Sequence, residues 1–209
     1  MEKQRKKRPT PFIIHDEYFF KAKKEGYRAR SAFKLIELQE KFSLIKAGMK
    51  VCDVASAPGS FLQVIRKNVG NDGLVVGIDL QKIDNFGQEN IHTIQHDIYE
   101  FDTLKPKVEA IIGEGKLFDL VTSDIAPKTT GRADIDQYES VELNIGIVKF
   151  ADVFLKKGGN LVLKVFIGED FNDLLKEIKL RYKKLSVYKP FACRDRSPEE
   201  YVVCFDKLN

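Results

Sequence analysis

One segment, Val51-Cys52-Asp53-Val54-Ala55-Ser56-Ala57-Pro58-Gly59-Ser60-Phe61, restricts what this chain can fold into more than any other. A short apolar run ends on a carboxylate, breaks into small residues around Pro-Gly, then opens a helical pattern at Phe61, Leu62, Val64 and Ile65. That order predicts a buried strand, a tight loop and a helix N-terminus. In an open parallel sheet, ligands collect at such a loop, outside the carboxyl ends of the strands. Small side chains allow close backbone approach, and free helix N–H groups favour polar or anionic ligand groups.

The rest of the chain continues the alternation. The pattern predicts helices from Asp16 to Gly26 and from Ser31, as a possible cap, to Phe42. Strands follow at Lys50–Val54, Leu74–Ile78, Ile91–Ile94, Leu117–Thr122 and Asn160–Val165. Helices lie between them, the longest from about Ile135 to Leu155, with Gly158-Gly159 as its stop. A helix to about Tyr182 and strands at Leu185–Tyr188 and Tyr201–Phe205 complete the chain. The loop between the last two strands is too short for a parallel crossover, so that pair is antiparallel. The expected architecture is α/β, with a seven-stranded, mostly parallel sheet, one antiparallel strand and helices on both faces, and it resembles the Rossmann-like methyltransferase fold. Residues 1–14 read as a basic mobile arm and 15–209 as a single domain.

Charge is segregated along the chain. Residues 1–50 hold 14 Lys and Arg against 6 Asp and Glu, whereas residues 51–175 hold 12 against 20. Residues 176–196 return to 8 against 2. Two basic flanks around an acidic centre suit a protein that grips a polyanion at its rim and binds a non-phosphate ligand in the middle. Candidate nucleic-acid contacts are Arg5, Lys6, Lys7 and Arg8 in the arm, Arg28 and Arg30, and Arg194 and Arg196. Three dispersed cysteines, Cys52, Cys193 and Cys204, fit a reducing cytoplasm, and Cys52 and Cys204 read as buried thiols. No His/Cys spacing suggests a metal, and no apolar run is long enough for a bilayer.

Asp79 ends the second strand, where a carboxylate can accept both hydroxyls of an adenosine ribose. Asp97, after the third, is placed to accept from an adenine amino group. S-adenosylmethionine carries a sulfonium and an ammonium and has no phosphate, so an acidic site favours it over a dinucleotide. Asp124 ends the fourth strand within Ser123-Asp124-Ile125-Ala126-Pro127. Lys164 interrupts the apolar fifth strand, where a lysine is costly unless paired. Lys34 falls just off the apolar stripe of Phe33, Ile36, Leu38 and Phe42, and periodicity alone assigns it to snorkelling.

Five motifs together resemble the FtsJ/RrmJ family of RNA ribose 2′-O-methyltransferases. They are Tyr27-Arg-Ala-Arg-Ser-Ala-Phe-Lys34-Leu, Asp53-Val-Ala-Ser-Ala-Pro-Gly-Ser-Phe61, Ser123-Asp-Ile-Ala-Pro127, Leu163-Lys-Val-Phe166 and Arg196-Ser-Pro-Glu199-Glu-Tyr201. The resemblance implies a catalytic tetrad of Lys34, Asp124, Lys164 and Glu199. It implies methyl-donor contacts at Gly59, Phe61, Asp79, Asp97 and Asp124. Alternation in the last strand lets only one of Glu199 and Glu200 reach the site, and the resemblance selects Glu199. Gly59-Ser60-Phe61 stands where the bacterial ribosomal enzyme has Gly-Gly-Trp, and Lys128 replaces an Asn common after Ala-Pro. The compact length resembles the enzyme acting on a uridine of 23S ribosomal RNA, as a cytoplasmic monomer without metal. A tRNA anticodon-loop enzyme and a non-catalytic RNA-binding module on this fold are the competing expectations.

Overall fold

The computed structural model describes residues 17–194 and 196–209. The elements run α1 (Glu17–Lys24), α2 (Ala32–Phe42), β1 (Lys50–Val54), α3 (Ser60–Val69), β2 (Leu74–Asp79), β3 (Ile91–Gln95) and α4 (Phe101–Ile112). They continue with β4 (Phe118–Ser123), α5 (Ala133–Phe154), β5 (Leu155–Phe166), α6 (Phe171–Lys179), β6 (Tyr182–Tyr188) and β7 (Glu199–Lys207). The seven strands form one sheet in the order β3-β2-β1-β4-β5-β7-β6. β7 is antiparallel to both its neighbours and the other pairings are parallel. The chain leaves β1 toward β2 and β3, then returns to place β4 on the other side of β1, which opens the crevice at the carboxyl end of β1.

The pleat sends alternate strand residues to opposite faces. Cys52, Val54, Val121, Leu161, Leu163, Val202 and Cys204 pack against α4, α5 and α6. Val51, Val75, Val162, Tyr201 and Val203 pack with Leu35 and Leu38 of α2 and with Leu62, Val64, Ile65 and Val69 of α3. Lys164 has the parity of Val162, and Glu199 that of Tyr201. Both therefore point to the α2–α3 face, where Lys34 also lies. The register of β5 and β7 sets Lys164 opposite Tyr201.

Several boundaries differ from the sequence expectation, and three places show the physical cause. Ser31 does not cap α2: its backbone is already helical (φ −60°, ψ −21°), and its hydroxyl shares a 2.8 Å hydrogen bond with the Ser60 hydroxyl. Helix α5 ends at Phe154, and Gly158-Gly159 lies within the range of β5. What closes α5 is Lys207, whose buried ammonium donates to the carbonyls of Ala151, Asp152 and Leu155 at 2.8–2.9 Å. Cations at a helix C-terminus satisfy the last carbonyls and oppose the negative end of the dipole. Helix α6 stops at Lys179, because the buried Tyr182 belongs to β6.

Candidate active site

The loop after β1 is drawn tightly over β2. Ala55 adopts a left-handed φ of 57°, uncommon for a residue with a Cβ, while its N–H donates to Ile78 O at 2.8 Å. Such strain collects at functional loops. Ala57-Pro58 is a cis peptide, and Gly59 takes φ 102° at the start of α3. A Cβ on Gly59 would come within 2.5 Å of the Phe86 ring and 3.1 Å of the Arg28 guanidinium. Glycine is required there by both conformation and space.

A cleft of about 950 Å³ opens at these strand ends. Its wall includes Ala55, Ala57, Asp79, Asp97, Tyr99, Asp124, Lys128, Tyr138, Glu139, Glu142 and Lys149. Five carboxylates against two lysines make it an acidic site. The Asp79 carboxylate accepts from Ala57 N at 2.8 Å and Gln81 N at 2.7 Å, so the backbone holds it in place beside the loop. Asp97 accepts from Tyr99 N at 2.9 Å in the same way. Asp53 turns inward instead and accepts from Thr122 Oγ1 at 2.6 Å. Burial, more than any neighbouring charge, pushes its pKa well up from the usual carboxylate range.

Beside the cleft lies an ion cluster with Asp124 at its centre. Lys164 Nζ is 3.1 Å from Asp124 Oδ1 and donates to the main-chain oxygen of Asp124 at 2.7 Å. Tyr201 OH donates to the same Oδ1 at 2.5 Å. Lys34 Nζ lies 3.9 Å from that oxygen and 2.9 Å from Glu199 Oε2. Lys34, Lys164 and Glu199 are each no more than 9% exposed, so four charges share one nearly dry place. Burial disfavours the Lys34 cation, yet Asp124 and then Glu199 outweigh it and raise the ammonium above its usual value. Lys34 is therefore a held cation. The Tyr201 hydroxyl is driven far up, by burial first and by the Asp124 charge second, so it stays a donor. Buried ion pairs seldom improve on apolar packing, so stability alone does not account for this cluster.

The four residues of the expected tetrad are thus brought together, and Asp124 belongs to both cluster and cleft. Glu199 is the inward member of its pair, and the half-buried Glu200 lies on the opposite face. Asp79 and Asp97 stand in the cleft wall, but Gly59 and Phe61 do not. Phe61 is 2% exposed, and its ring packs into the core under α3. Arg28 is committed to the fold: its guanidinium donates to the carbonyls of Pro58, Asp84 and Asn85 at 2.9–3.0 Å and stacks on Phe86 at 3.6 Å. Arg30 donates to Ala192 O and faces the Tyr18 ring. Arg194 and Arg196 are exposed, while Arg5, Lys6, Lys7 and Arg8 lie outside the described residues.

Tyr201 escaped the sequence reading, although it follows Glu199 by two residues in a strand and must share its face. Ser140 and Asn144 of α5 escaped it as well. Ser140 Oγ accepts from Phe166 N at 3.0 Å, and Asn144 Nδ2 donates to Lys164 O at 2.8 Å. Nothing in the sequence signals these two. Among the described residues no group of three His, Cys, Asp or Glu is placed to hold a metal ion, and no helix is long and apolar enough to cross a membrane.

A parallel sheet with a reversed strand before its edge, an acidic crevice at the carboxyl end of β1 and a Lys/Asp cluster beside it together define a Rossmann-like methyltransferase. The family model described as FtsJ-like methyltransferase matches residues 27–207, and the chain belongs to that family. It is 41% identical over 192 residues to the ribosomal RNA large subunit methyltransferase E of Methanobrevibacter smithii, covering 92% of this chain and 90% of the relative. It is 40% identical over 202 residues to the protein of the same name from Desulfosudis oleivorans, covering 97% and 93%. A solved structure described as a ribosomal RNA methyltransferase from Plasmodium falciparum superposes with a TM-score of 0.79 at 29% identity, covering 88% of this chain and all of that one. Aeropyrum pernix fibrillarin, solved with natively bound S-adenosyl-L-methionine, shares the fold with a TM-score of 0.55 at 16% identity, covering 83% and 76%.

Proposed function

We propose that the chain transfers a methyl group from S-adenosyl-L-methionine to a ribose 2′-hydroxyl of large-subunit ribosomal RNA, at a uridine of the 23S species. The observation that carries this reading is the contact of Asp124 with both the acidic cleft and the Lys34, Lys164 and Glu199 cluster. The names of the relatives support the substrate. The chain works as a monomer in the cytoplasm, with RNA held by the basic flanks.

The donor fits the cleft chemically. It brings two cationic centres and no phosphate, and the wall offers Asp79, Asp97, Asp124, Glu139 and Glu142. Asp79 takes the ribose hydroxyls and Asp97 the adenine amino group, while Asp124 faces the reacting end. When bound, the donor supplies an electrophilic methyl on sulfur. The protein supplies position and activation for a weak alcohol nucleophile. Lys164 would hold the 2′-hydroxyl and take up or polarise its proton while the methyl passes to that oxygen, the S–CH3 bond breaks and S-adenosylhomocysteine leaves. Asp124 orients Lys164 and is itself fixed by Tyr201. Lys34 remains charged beside Glu199 and steadies the two carboxylates.

Replacing Lys164 with Ala tests this assignment. Methyl incorporation into ribosomal RNA should fall by about 10²- to 10⁴-fold, the usual worth of a positioned acid–base group. Donor affinity, measured by calorimetry, should stay as in the parent. Near-full methyl transfer by the variant would end the assignment.

A further inference from the structure

Phe191 is 84% exposed, the most exposed of the large apolar side chains among the described residues. Single exposed apolar side chains are ordinary, so exposure alone says little. Its mounting is not ordinary. The N–H groups of Phe191 and Ala192 donate to the two oxygens of Glu37 at 2.6 and 2.8 Å. Arg30 donates to Ala192 O, Cys193 N donates to Pro190 O at 2.9 Å, and Ala192 is buried against Ala22 and Phe33. The backbone on which the ring stands is thus fixed from both sides, while the ring itself projects into solvent.

Three cations flank it in the chain. Lys189, Arg194 and Arg196 lie within five residues of Phe191 on the same β6–β7 loop, which runs directly into Glu199. Two residues of chain reach no more than about 7 Å, and Cys193, two residues on, is a buried neighbour of the cluster. Burial, then Glu199, pushes the Cys193 thiol up to about 12. The backbone that carries the ring therefore lies within about 7 Å of a residue that borders the ion cluster.

We propose that Phe191 is a stacking platform for an unpaired RNA base beside the methylated nucleotide. A fixed aromatic ring among cations is how single strands are held without sequence-specific hydrogen bonds, because every base has a face to stack and every phosphate a charge to pair. The proposal rests on the RNA reading above and adds a residue that neither the donor cleft nor the ion cluster contains.

The test compares the full chain with its Phe191→Ala and Phe191→Trp variants. Their binding to fluorescein-labelled oligouridylate and to unmethylated large ribosomal subunits is measured, alongside donor binding. Loss of one base stack should weaken oligouridylate binding by about 5- to 150-fold in Phe191→Ala, and Phe191→Trp should restore it. Donor affinity should not move in either variant. Equal oligouridylate binding by the parent and Phe191→Ala overturns the platform. A loss confined to whole subunits also overturns it, because the ring then touches a protein. If the parent binds donor yet neither binds nor methylates RNA, the RNA reading itself has failed, and the platform with it.

Discussion

Asn144 and Lys164 are joined by a 2.8 Å hydrogen bond from the side-chain amide of α5 to the main-chain oxygen of β5. The pairing of β4 with β5 extends only to Ser123 and Leu163, so the outer end of β5 has lost its neighbour where the lysine sits. Asn144 and Ser140 take over there, one donating to Lys164 O and the other accepting from Phe166 N. Asn144 Oδ1 is buried without a hydrogen-bond partner among the described residues, an arrangement that apolar packing would not choose. In an Asn144→Ala variant, Lys164 O becomes a buried acceptor without a donor. A net cost of about 1 kcal/mol lowers the melting temperature by about 2–4 °C. Misplacing the lysine should lower kcat by about 10- to 100-fold, while donor affinity stays unchanged. Calorimetric melting and single-turnover methyl transfer separate the two effects, and a melting shift with undiminished kcat would refute the positioning role.

The sheet was legible in the sequence because its strands are short apolar runs closed by carboxylates or glycine, and β1 fell at its observed limits. The reversed last pair was legible from loop length alone. Lys207 shows where such reading stops. It closes α5 from more than fifty residues away, and no local pattern tells a helix-ending lysine from a solvated one. Lys34 fails for a related reason. Periodicity placed it off the apolar stripe, yet it is 6% exposed because Glu199 and Asp124 arrive from β7 and the end of β4. Phe61 and Arg28 show side-chain placements that local pattern does not give. Both stand in the right motifs, but packing turns the phenyl ring inward and loop carbonyls occupy the guanidinium.

All three cysteines should resist alkylation in the folded chain. Cys52 and Cys204 are fully buried, and burial raises their pKa values well beyond the ordinary thiol range. Cys193 is 6% exposed and reaches about 12 through burial and then through Glu199. The thiolate is the nucleophile, so a raised value means less reactive species at a given pH. At pH 8 an ordinary thiol is roughly one quarter ionised, whereas one near 12 is ionised about once in ten thousand. Intact-mass measurement after iodoacetamide treatment at pH 8 should show no adduct until denaturant is added, then three. Rapid native labelling of Cys193 would show that the β6–β7 loop opens, and the fixed mounting of Phe191 would fall with it.

The arm ahead of α1 should act through charge alone. Lys3, Arg5, Lys6, Lys7 and Arg8 place five cations in the first eight residues, outside the described part of the structure. Each single-strand phosphate neutralised adds about 0.7 to the slope of log affinity against log salt. Removing residues 2–8 should therefore flatten that slope by up to about 3.5 if every cation engages a phosphate. The loss of RNA affinity should be large at low salt and shrink as salt rises, whereas donor affinity should be indifferent to both. Because such contacts read no bases, oligouridylate and ribosomal RNA should lose affinity in similar proportion. Titrations of both RNAs across a range of salt concentrations provide the measurement. An unchanged slope would remove the arm from the interface and leave the phosphates to Arg194, Arg196 and the lysines that follow α6.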